Sequence, residues 1–306
     1  MIAVQDKVPS DIWSDWLLHR RHAGDAAFGD VIRTEVEAFA DRVLDGARLS
    51  PGMKLLDIGS GEGVVAFRAI DRVGPDLQVV LTDISRAMLH HAQTVADQRH
   101  VNGQCIFLEA SAEQLSGVTD ASMDAVTARS VLAYVADKEA AFRECHRVLK
   151  PGGWLSIAEP VFRDEALAVV AMKQILDARP SNSTDSLLSF LYRWKSAQFP
   201  DTEAKIAENP LTNYGERDLV RFAQHCGFRE IHLALHIDVR PSRGTPWKIF
   251  LEGSPHPWAP PLVSVLAERF DASERALFEA LLRPKVESGG SLNTGRMAYL
   301  AARKAP

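Results

Sequence analysis

Short apolar runs alternate with amphipathic stretches over most of the chain. Each run is as long as a typical β-strand, and the stretches between runs place apolar residues at helical spacing. The predicted strands are 53–58, 78–82, 104–109, 123–129 and 153–158. The predicted helices between them are 62–73, 85–99, 112–116 and 137–149. This alternation predicts an α/β fold in which helices cover both faces of a parallel sheet.

The pattern continues near the C-terminus. Residues 211–227 predict one more helix, which ends at Gly227, and residues 228–239 predict another strand. Residues 297–302 are apolar and can close the sheet. We therefore predict a doubly wound, mostly parallel, seven-stranded Rossmann-like sheet.

Three segments depart from the alternation. Residues 11–46 predict a helical leader, which ends before Pro51. Residues 161–210 predict two added helices, at 164–178 and 185–199. Residues 240–295 contain a proline-rich loop with Trp247 and Trp258 before a helix near 273–283. We interpret all three as lid or cap material around one core rather than as independent domains.

Composition narrows the class of protein. The chain has 306 residues, 46% of them hydrophobic, so it can bury a large core. Its net charge of −5 argues against a nucleic-acid partner. Three widely spaced cysteines indicate neither a disulfide framework nor a zinc site. Without a secretory signal or a membrane-length apolar run, we expect a cytoplasmic protein with no membrane partner, of unknown oligomeric state.

The stretch LLDIGSGEG, residues 55–63, joins a strand to a glycine-rich turn. A dinucleotide-binding loop would need a glycine in place of Val64, and a phosphate-binding loop would need a lysine. Asp57 and Glu62 would repel a pyrophosphate but would favour a ligand that carries an ammonium and a sulfonium. The loop therefore favours a cationic ligand.

The next strand ends at Asp83, twenty residues beyond Gly63. A carboxylate there can accept hydrogen bonds from both hydroxyls of a ribose. The alternative role is to cap the following helix, but Ser85 can also serve as that cap.

With these features, the sequence resembles the class I S-adenosylmethionine (SAM) dependent methyltransferases, most closely the small-molecule branch that includes ubiquinone and menaquinone methyltransferases. The resemblance runs from about Met53 to Pro160 and recurs from Leu211 to Phe228. LLDIGSGEG matches the first motif of that family, VVLTDIS the second, and FRECHRVLKPGG its helix, turn and strand start. The last motif has a structural role only, because its proline stops the helix and its glycines turn the chain.

The resemblance implies a SAM-binding core over residues 51–160. The segments that depart from the alternation add a helical cap at 161–210 and an insertion at 240–295 within the rest of the core, 211–306. Residues 1–50 would form an N-terminal lid. By that resemblance, the methionine part of SAM would contact the glycine loop at Asp57, Gly59, Ser60 and Gly61, and the ribose would contact Asp83. The adenine would contact Ile84, Ser111 and Ala112, and the SAM ammonium would contact the backbone carbonyl of Arg129 at the end of the fourth strand. The family usually has an aspartate where Ser111 stands, so this adenine contact is weaker.

Methyl transfer needs an aligned nucleophile and exclusion of water, and a general base only where the acceptor loses a proton. Glu159, after the fifth strand, is the first candidate base, with orientation of a loop as the alternative role. His22 is the second, although its basic run is also what a solvated surface shows, and Arg20 or Arg21 in that run could pair with a carboxylate. Tyr134 lies where this family often contacts substrate, with core packing as the rival role.

We therefore expect methyl transfer to an oxygen, nitrogen or carbon atom of a small organic acceptor, apolar or aromatic, in specialised metabolism. A SAM-binding protein without methyl transfer is the alternative. An NAD-dependent dehydrogenase and a thiol-chemistry methyltransferase are less consistent with the loop and with the scattered cysteines. No metal is expected, because His232 and His236 lack a third ligand.

Overall fold

The computed structural model describes residues 9–180 and 186–306, in which the main sheet has seven strands. The strands are β1 (Lys54–Ile58), β2 (Gln78–Asp83), β3 (Cys105–Glu109), β4 (Met123–Arg129), β5 (Leu149–Pro160), β6 (Phe228–Pro241) and β7 (Leu292–Lys304). Their order across the sheet is β3-β2-β1-β4-β5-β7-β6. The first five run parallel, and β7 runs antiparallel to both β5 and β6. The predicted mostly parallel, seven-stranded sheet is confirmed.

Helices cover both faces of this sheet. They are α1 (Ile12–Asp15), α2 (Ala26–Ala47), α3 (Val64–Val73), α4 (Arg86–Gln98), α5 (Lys138–Val148), α6 (Arg163–Asp177), α7 (Ser186–Lys195), α8 (Glu203–Glu208), α9 (Glu216–His225), α10 (Trp247–Glu252), α11 (Leu262–Arg269) and α12 (Ala272–Ser288). One apolar cluster joins α2, α3 and α4 to the sheet, and a second joins α5 and α9 to it. The central strands are buried on both sides, as continuous apolar runs in a parallel sheet require.

The strand order reverses direction at β1. The chain runs outward from β1 to β2 and β3, then returns to place β4 on the other side of β1. In open α/β sheets, ligands bind in the crevice beyond the carboxyl ends of the strands at such a point. The glycine loop, which follows β1, and the end of β4 therefore lie where a ligand is expected.

The two insertions share a small apolar core of their own. Phe190 of α7 packs against Phe270 and Phe278, with ring centroids 5.4 and 6.1 Å apart. Trp247 of α10 and Leu262 of α11 belong to the same buried cluster. The segments 161–210 and 240–295, far apart in sequence, thus pack together as one cap.

Several local predictions were wrong. Residues 112–116 form a turn rather than a helix, with Ser111 and Gln114 bridged. The helices α8, α10 and α11 were not predicted. Pro246 and Pro261 immediately precede α10 and α11. These prolines resemble loop punctuation in the sequence, but proline is well tolerated at the start of a helix.

The predicted leader contains α1, a π-turn over Trp16–Arg20 and α2, and its residues 1–8 lie outside the described residues, as does residue 185 of the predicted helix 185–199. Across the described ranges, no helix combines the length and apolar character needed to cross a membrane.

Candidate active site

The glycine loop is built from three left-handed residues. Gly59, Gly61 and Gly63 have φ values of 58°, 52° and 78°. A Cβ on Gly59 would lie 2.5 Å from a methyl of Val131, and one on Gly63 would lie 2.4 Å from the Phe67 ring. A Cβ on Gly61 would meet only Leu17 of the leader, at 3.5 Å. The neighbouring side chains therefore leave no room for a Cβ at Gly59 or Gly63. The backbone of Gly61 faces the leader, which covers the loop.

Asp57 lies beneath this loop, with 2% of its surface exposed. Its Oδ1 accepts a 2.8 Å hydrogen bond from the Thr127 hydroxyl, whereas Oδ2 and the nearby Ser60 hydroxyl have no partner among the described residues. Burial raises the pKa of Asp57 to about 7, and the Thr127 hydrogen bond opposes that rise. A buried carboxylate oxygen without a donor can receive a cationic group such as the ammonium of SAM.

Asp83 connects the end of β2 to the glycine loop. Its Oδ2 accepts from the Gly61 amide and its Oδ1 from the Ser85 amide, both at 2.9 Å. Burial raises the pKa of Asp83, and these amide hydrogen bonds oppose the rise. The Ser85 hydroxyl accepts from the Met88 amide at 3.1 Å and so caps α4. The prediction that Ser85 caps the helix is confirmed. The Asp83 carboxylate contacts the glycine loop instead.

The predicted adenine contacts border the same edge of the sheet. Ile84 is 51% exposed directly after Asp83, which is unusual for an isoleucine in this otherwise buried region. The Ser111 hydroxyl accepts from the Glu113 amide at 3.2 Å, and Ala112 is buried beside it. The adenine assignments stay predictions.

Glu159 is fully buried at the end of β5. Its Oε1 accepts from the Val131 amide at 3.0 Å and its Oε2 from the Ala133 amide at 3.3 Å. Burial raises the pKa of Glu159 to about 7, against the opposing effect of these amides. Both oxygens thus hold the segment that carries Tyr134. This is the loop-orienting role that the sequence left open as the alternative to a general base.

Tyr134 lies in an aromatic cluster formed by three distant segments. Its ring centroid is 5.1 Å from Trp13 of α1 and 5.4 Å from Trp258 of the second insertion, and the two tryptophans are 6.2 Å apart. Burial raises the pKa of Tyr134, so its hydroxyl stays protonated at neutral pH. We call Trp13, Tyr134 and Trp258 the aromatic cluster.

The leader is held over this region by polar contacts with the second insertion. The Trp16 indole donates to the Ser254 carbonyl at 3.0 Å, and the Ser254 amide donates to the Arg20 carbonyl at 3.2 Å. The Arg20 guanidinium donates to the Pro257 carbonyl at 3.0 Å and pairs with Asp15 at 2.7 Å. Arg20 is therefore engaged in joining leader to cap.

The side chain of Arg129 also lies in the site. The sequence did not reveal this, because only the backbone carbonyl of Arg129 was expected to act. Burial is the main reason that the pKa of Arg129 is lowered to about 10, and the charge of Arg21 adds to this effect. The carboxylates of Asp57, Glu62 and Glu159 act in the opposite direction and raise the pKa. The guanidinium lies 3.5 Å from the Ser130 hydroxyl. No local pattern marks such an arginine, because its surroundings come from four separate elements.

Lys138 and Tyr214 also support the site without having been predicted. Lys138 Nζ donates to the carbonyls of Val135 and Pro210, each at 2.9 Å. The Tyr214 hydroxyl donates to the Pro160 carbonyl at 2.9 Å, next to Glu159. These hydrogen bonds join the end of the turn 132–135 and the end of β5 to residues 210–214.

His22 lies elsewhere. It lines a cavity of about 500 Å³ between the leader, α2, α3 and α4, together with Glu62 and His91. Its Nδ1 is buried without a partner among the described residues. Glu159 and Tyr134 do not line this cavity, and the role of His22 as a base stays a prediction. Within residues 9–180 and 186–306, no group of three or more potential metal ligands converges.

The raised pKa of Asp57 predicts a pH dependence of ligand binding. A bound ammonium stabilises the ionised carboxylate, so affinity for S-adenosylhomocysteine should increase by about tenfold from pH 5.5 to pH 7 as Asp57 loses its proton. Isothermal titration calorimetry at several pH values measures this. Asp57→Asn should bind with a flat pH profile, and an unchanged slope in that variant would assign the dependence to another group.

Comparison with known proteins agrees with this architecture. A family profile described as a methyltransferase domain matches residues 49–202. The ubiquinone/menaquinone biosynthesis C-methyltransferase UbiE of Shewanella sp. (strain ANA-3) is 40% identical over 116 residues, which are 38% of this chain and 45% of that protein. Its counterpart in Shewanella frigidimarina (strain NCIMB 400) is 37% identical over 131 residues, 42% of this chain and 52% of that one. The chain thus spans about half the length of these curated relatives.

Solved structures agree on the fold. The YcgJ protein from Bacillus subtilis has a TM-score of 0.53 at 16% identity, covering 88% of this chain and 99% of that one. A protein from Bacillus halodurans C-125 has a TM-score of 0.51 at 17% identity, covering 88% and 100%. With the profile matching just over half of the chain, the glycine loop after β1 and the acid after β2, this protein belongs to the class I SAM-dependent methyltransferases, for which S-adenosylmethionine is the cofactor.

Proposed function

We propose that this protein transfers a methyl group from SAM to an oxygen, nitrogen or carbon atom of a small organic acceptor. The observation that carries the proposal is the aromatic cluster, in which Trp13 of the leader and Trp258 of the second insertion pack on Tyr134, beyond the end of β4. In-line methyl transfer needs an aligned acceptor and exclusion of water, which apolar rings beside an adenosyl-binding loop would provide. The 1–50 leader and the cap at 161–210 and 240–295 act as its lid.

The residues present fit SAM. Gly61 offers backbone free of side-chain obstruction except for Leu17, and Asp57 offers a buried carboxylate oxygen without a donor. Asp83 would hold the ribose hydroxyls, and the exposed face of Ile84 would lie against the adenine. Bound there, SAM supplies an electrophilic methyl carbon attached to a sulfonium.

The chain's own groups then position and enclose the acceptor. Glu159 holds the turn from Val131 to Ala133, which fixes the Tyr134 ring against the tryptophans. We assign Glu159 a positioning role in the first place, because both its oxygens are occupied by amides. A protonated Tyr134 hydroxyl can donate a hydrogen bond to a polar group of the acceptor. Arg21, which forms no ion pair with any described residue, is the candidate partner for a carboxylate of SAM or of an acidic acceptor.

A cleft beside the aromatic cluster is the proposed place of an apolar or aromatic acceptor. It has a volume of about 580 Å³, and its lining combines apolar side chains such as Phe199, Leu211 and Trp258 with polar ones such as Asp201, Lys205 and Asn209. Trp258 belongs both to this cleft and to the aromatic cluster, so the cleft leads toward Tyr134. The relatives named as C-methyltransferases make carbon acceptors the first to test.

We further propose a role in specialised metabolism, a cytoplasmic location and no nucleic-acid partner, in keeping with the net charge of −5.

The test is turnover with SAM carrying an isotopically labelled methyl group and a panel of phenols, hydroxyquinones, carboxylic acids and amines. We expect labelled product from one class, with one S-adenosylhomocysteine released per methyl transferred. The Asp83→Ala variant serves as the control for activity that depends on the site. Tight SAM binding with no labelled product from the whole panel would favour a SAM-binding protein without methyl transfer.

A further inference from the structure

The cleft beside the aromatic cluster contains two polar side chains that are almost fully buried. His256 has 3% of its surface exposed and Gln198 has 7%, and both residues line the cleft. The Nδ1 atom of His256 and the Oε1 atom of Gln198 have no hydrogen-bond partner among the described residues. A buried polar atom without a partner costs free energy, so a ligand group that supplies the partner is stabilised there.

The other polar atoms of these side chains determine which kind of partner is needed. The His256 Nε2 lies 2.9 Å from the Gln198 carbonyl, which can only accept, so Nε2 carries the ring proton and Nδ1 has the free lone pair. The Gln198 Nε2 donates to the Pro260 carbonyl at 3.2 Å, so the unpartnered atom of that amide is its oxygen. Burial lowers the pKa of His256 to about 4, against the opposing effect of the Gln198 carbonyl, so the ring is neutral at neutral pH. The cleft therefore has two hydrogen-bond acceptors, and both need a donor.

Aromatic rings surround the His256 imidazole. Its centroid is 5.3 Å from that of Phe199 and 6.1 Å from that of Phe162, and those two rings are 6.0 Å apart. Phe162 lies two residues beyond the end of β5, and Trp258, two residues after His256, contacts Tyr134. The two acceptor atoms thus belong to an apolar wall that connects the carboxyl end of β5 with the aromatic cluster. Such a wall suits an uncharged ligand with an apolar body.

We propose that His256 and Gln198 bind a hydroxyl or amino group of the methyl acceptor, which donates hydrogen bonds to Nδ1 and Oε1. The inference rests on the proposed function only in identifying the ligand as the acceptor. Asp201 and Lys205 of the same cleft pair with each other at 2.7 Å, so they are already engaged. His256 acts as a binding group rather than as a base, since a weakly basic ring accepts a hydrogen bond without taking the proton. An acceptor without the donor group leaves both atoms unpaired and is rejected.

Binding to the protein saturated with S-adenosylhomocysteine tests the proposal without turnover. The probes are 4-ethylphenol, 4-ethylaniline and 4-ethylanisole, which carry an O–H donor, an N–H donor and no donor. Calorimetric titration should show the phenol or the aniline binding at least about tenfold more tightly than the anisole. The tighter of the two identifies the donor. Equal affinities for all three, or no binding at millimolar concentration, would overturn the proposal and leave the two acceptors to buried water.

Two substitutions assign the discrimination to these side chains. His256→Phe keeps an aromatic ring but removes Nδ1, and Gln198→Met keeps the length of the side chain but removes Oε1. Each should bring the affinity of the donor probes down toward that of 4-ethylanisole. Ser254→Ala is the matched control, because the Ser254 hydroxyl is also buried without a described partner but does not line the cleft, and it should keep the full discrimination.

Thermal unfolding shows which variants are folded, and either folded variant suffices for the decision. Discrimination that persists in a folded His256→Phe or Gln198→Met variant would overturn the proposal. Its failure is distinguishable from failure of the proposed function, because the latter appears as absence of labelled product from the acceptor panel. A protein that transfers methyl groups but binds the three probes equally would retain the function and lose this site.

Discussion

Removal of residues 1–24 should lower kcat/KM by about 10²-fold or more while leaving the core folded. A lid that aligns the acceptor and excludes water has an effect of that order, because even small misplacement of reacting groups is costly in rate. The leader contributes Trp13 to the aromatic cluster and Leu17 to the surface over Gly61. Without it, Tyr134 and the Gly61 backbone lose these covering side chains.

The fold should tolerate the deletion for a definite reason. Among residues 9–24, no apolar side chain belongs to the fully buried core, which begins at Val36 of α2. The leader is held instead by two hydrogen bonds to Ser254, one to Pro257 and the partly buried ring of Trp13. Each hydrogen bond is worth about 1 kcal/mol net. Thermal unfolding without SAM should therefore change by only a few degrees.

A single substitution distinguishes the effect of the Trp13 ring from the effect of losing the whole leader. Trp13→Ala should reproduce part of the fall in kcat/KM, whereas Ile12→Ala, 43% exposed in the same helix, should be neutral. Steady-state kinetics with saturating SAM measures both. A melting temperature that collapses in the deletion variant, with activity falling in parallel, would make the leader part of the core instead of a lid.

The sheet and the cofactor loop were predictable because their signals are local. Continuous apolar runs between helices require a parallel sheet, and glycines directly after the first strand must take left-handed conformations where side chains crowd them. The choice between Asp83 and Ser85 as helix cap was also resolved by local chemistry, since the serine is at the position that caps α4.

The cap could not be predicted in the same way. The packing of Phe190 against Phe270 joins residues 80 positions apart, and no local pattern signals it. The support that Glu159 gives to the Val131 amide, and the place of the Arg129 guanidinium, also depend on elements brought together only by the fold. The sequence placed these residues at the carboxyl ends of the strands but could not distinguish a proton-transfer group from a positioning one.

Asp83→Ala should weaken binding of SAM and S-adenosylhomocysteine by about 1.5–3 kcal/mol, roughly tenfold to a hundredfold in Kd. The alanine removes the acceptor for the ribose hydroxyls and also the acceptor that holds the Gly61 amide. Asp83→Asn should be nearly as harmful, because its NH₂ group would face the amide of either Gly61 or Ser85.

Two controls separate this effect from damage to the strand or helix. Asp76→Ala changes an exposed acid just before the opposite end of β2 and should leave Kd unchanged. Ser85→Ala removes the cap of α4 and should cost about 1 kcal/mol of folding stability with little change in affinity. Calorimetric titration and thermal unfolding of all four variants measure both quantities. If Asp83→Ala binds as the wild type does, the ribose must be held elsewhere, whereas a loss of affinity confined to the two Asp83 variants assigns cofactor binding to this carboxylate, which acts on the ribose and on the Gly61 amide together.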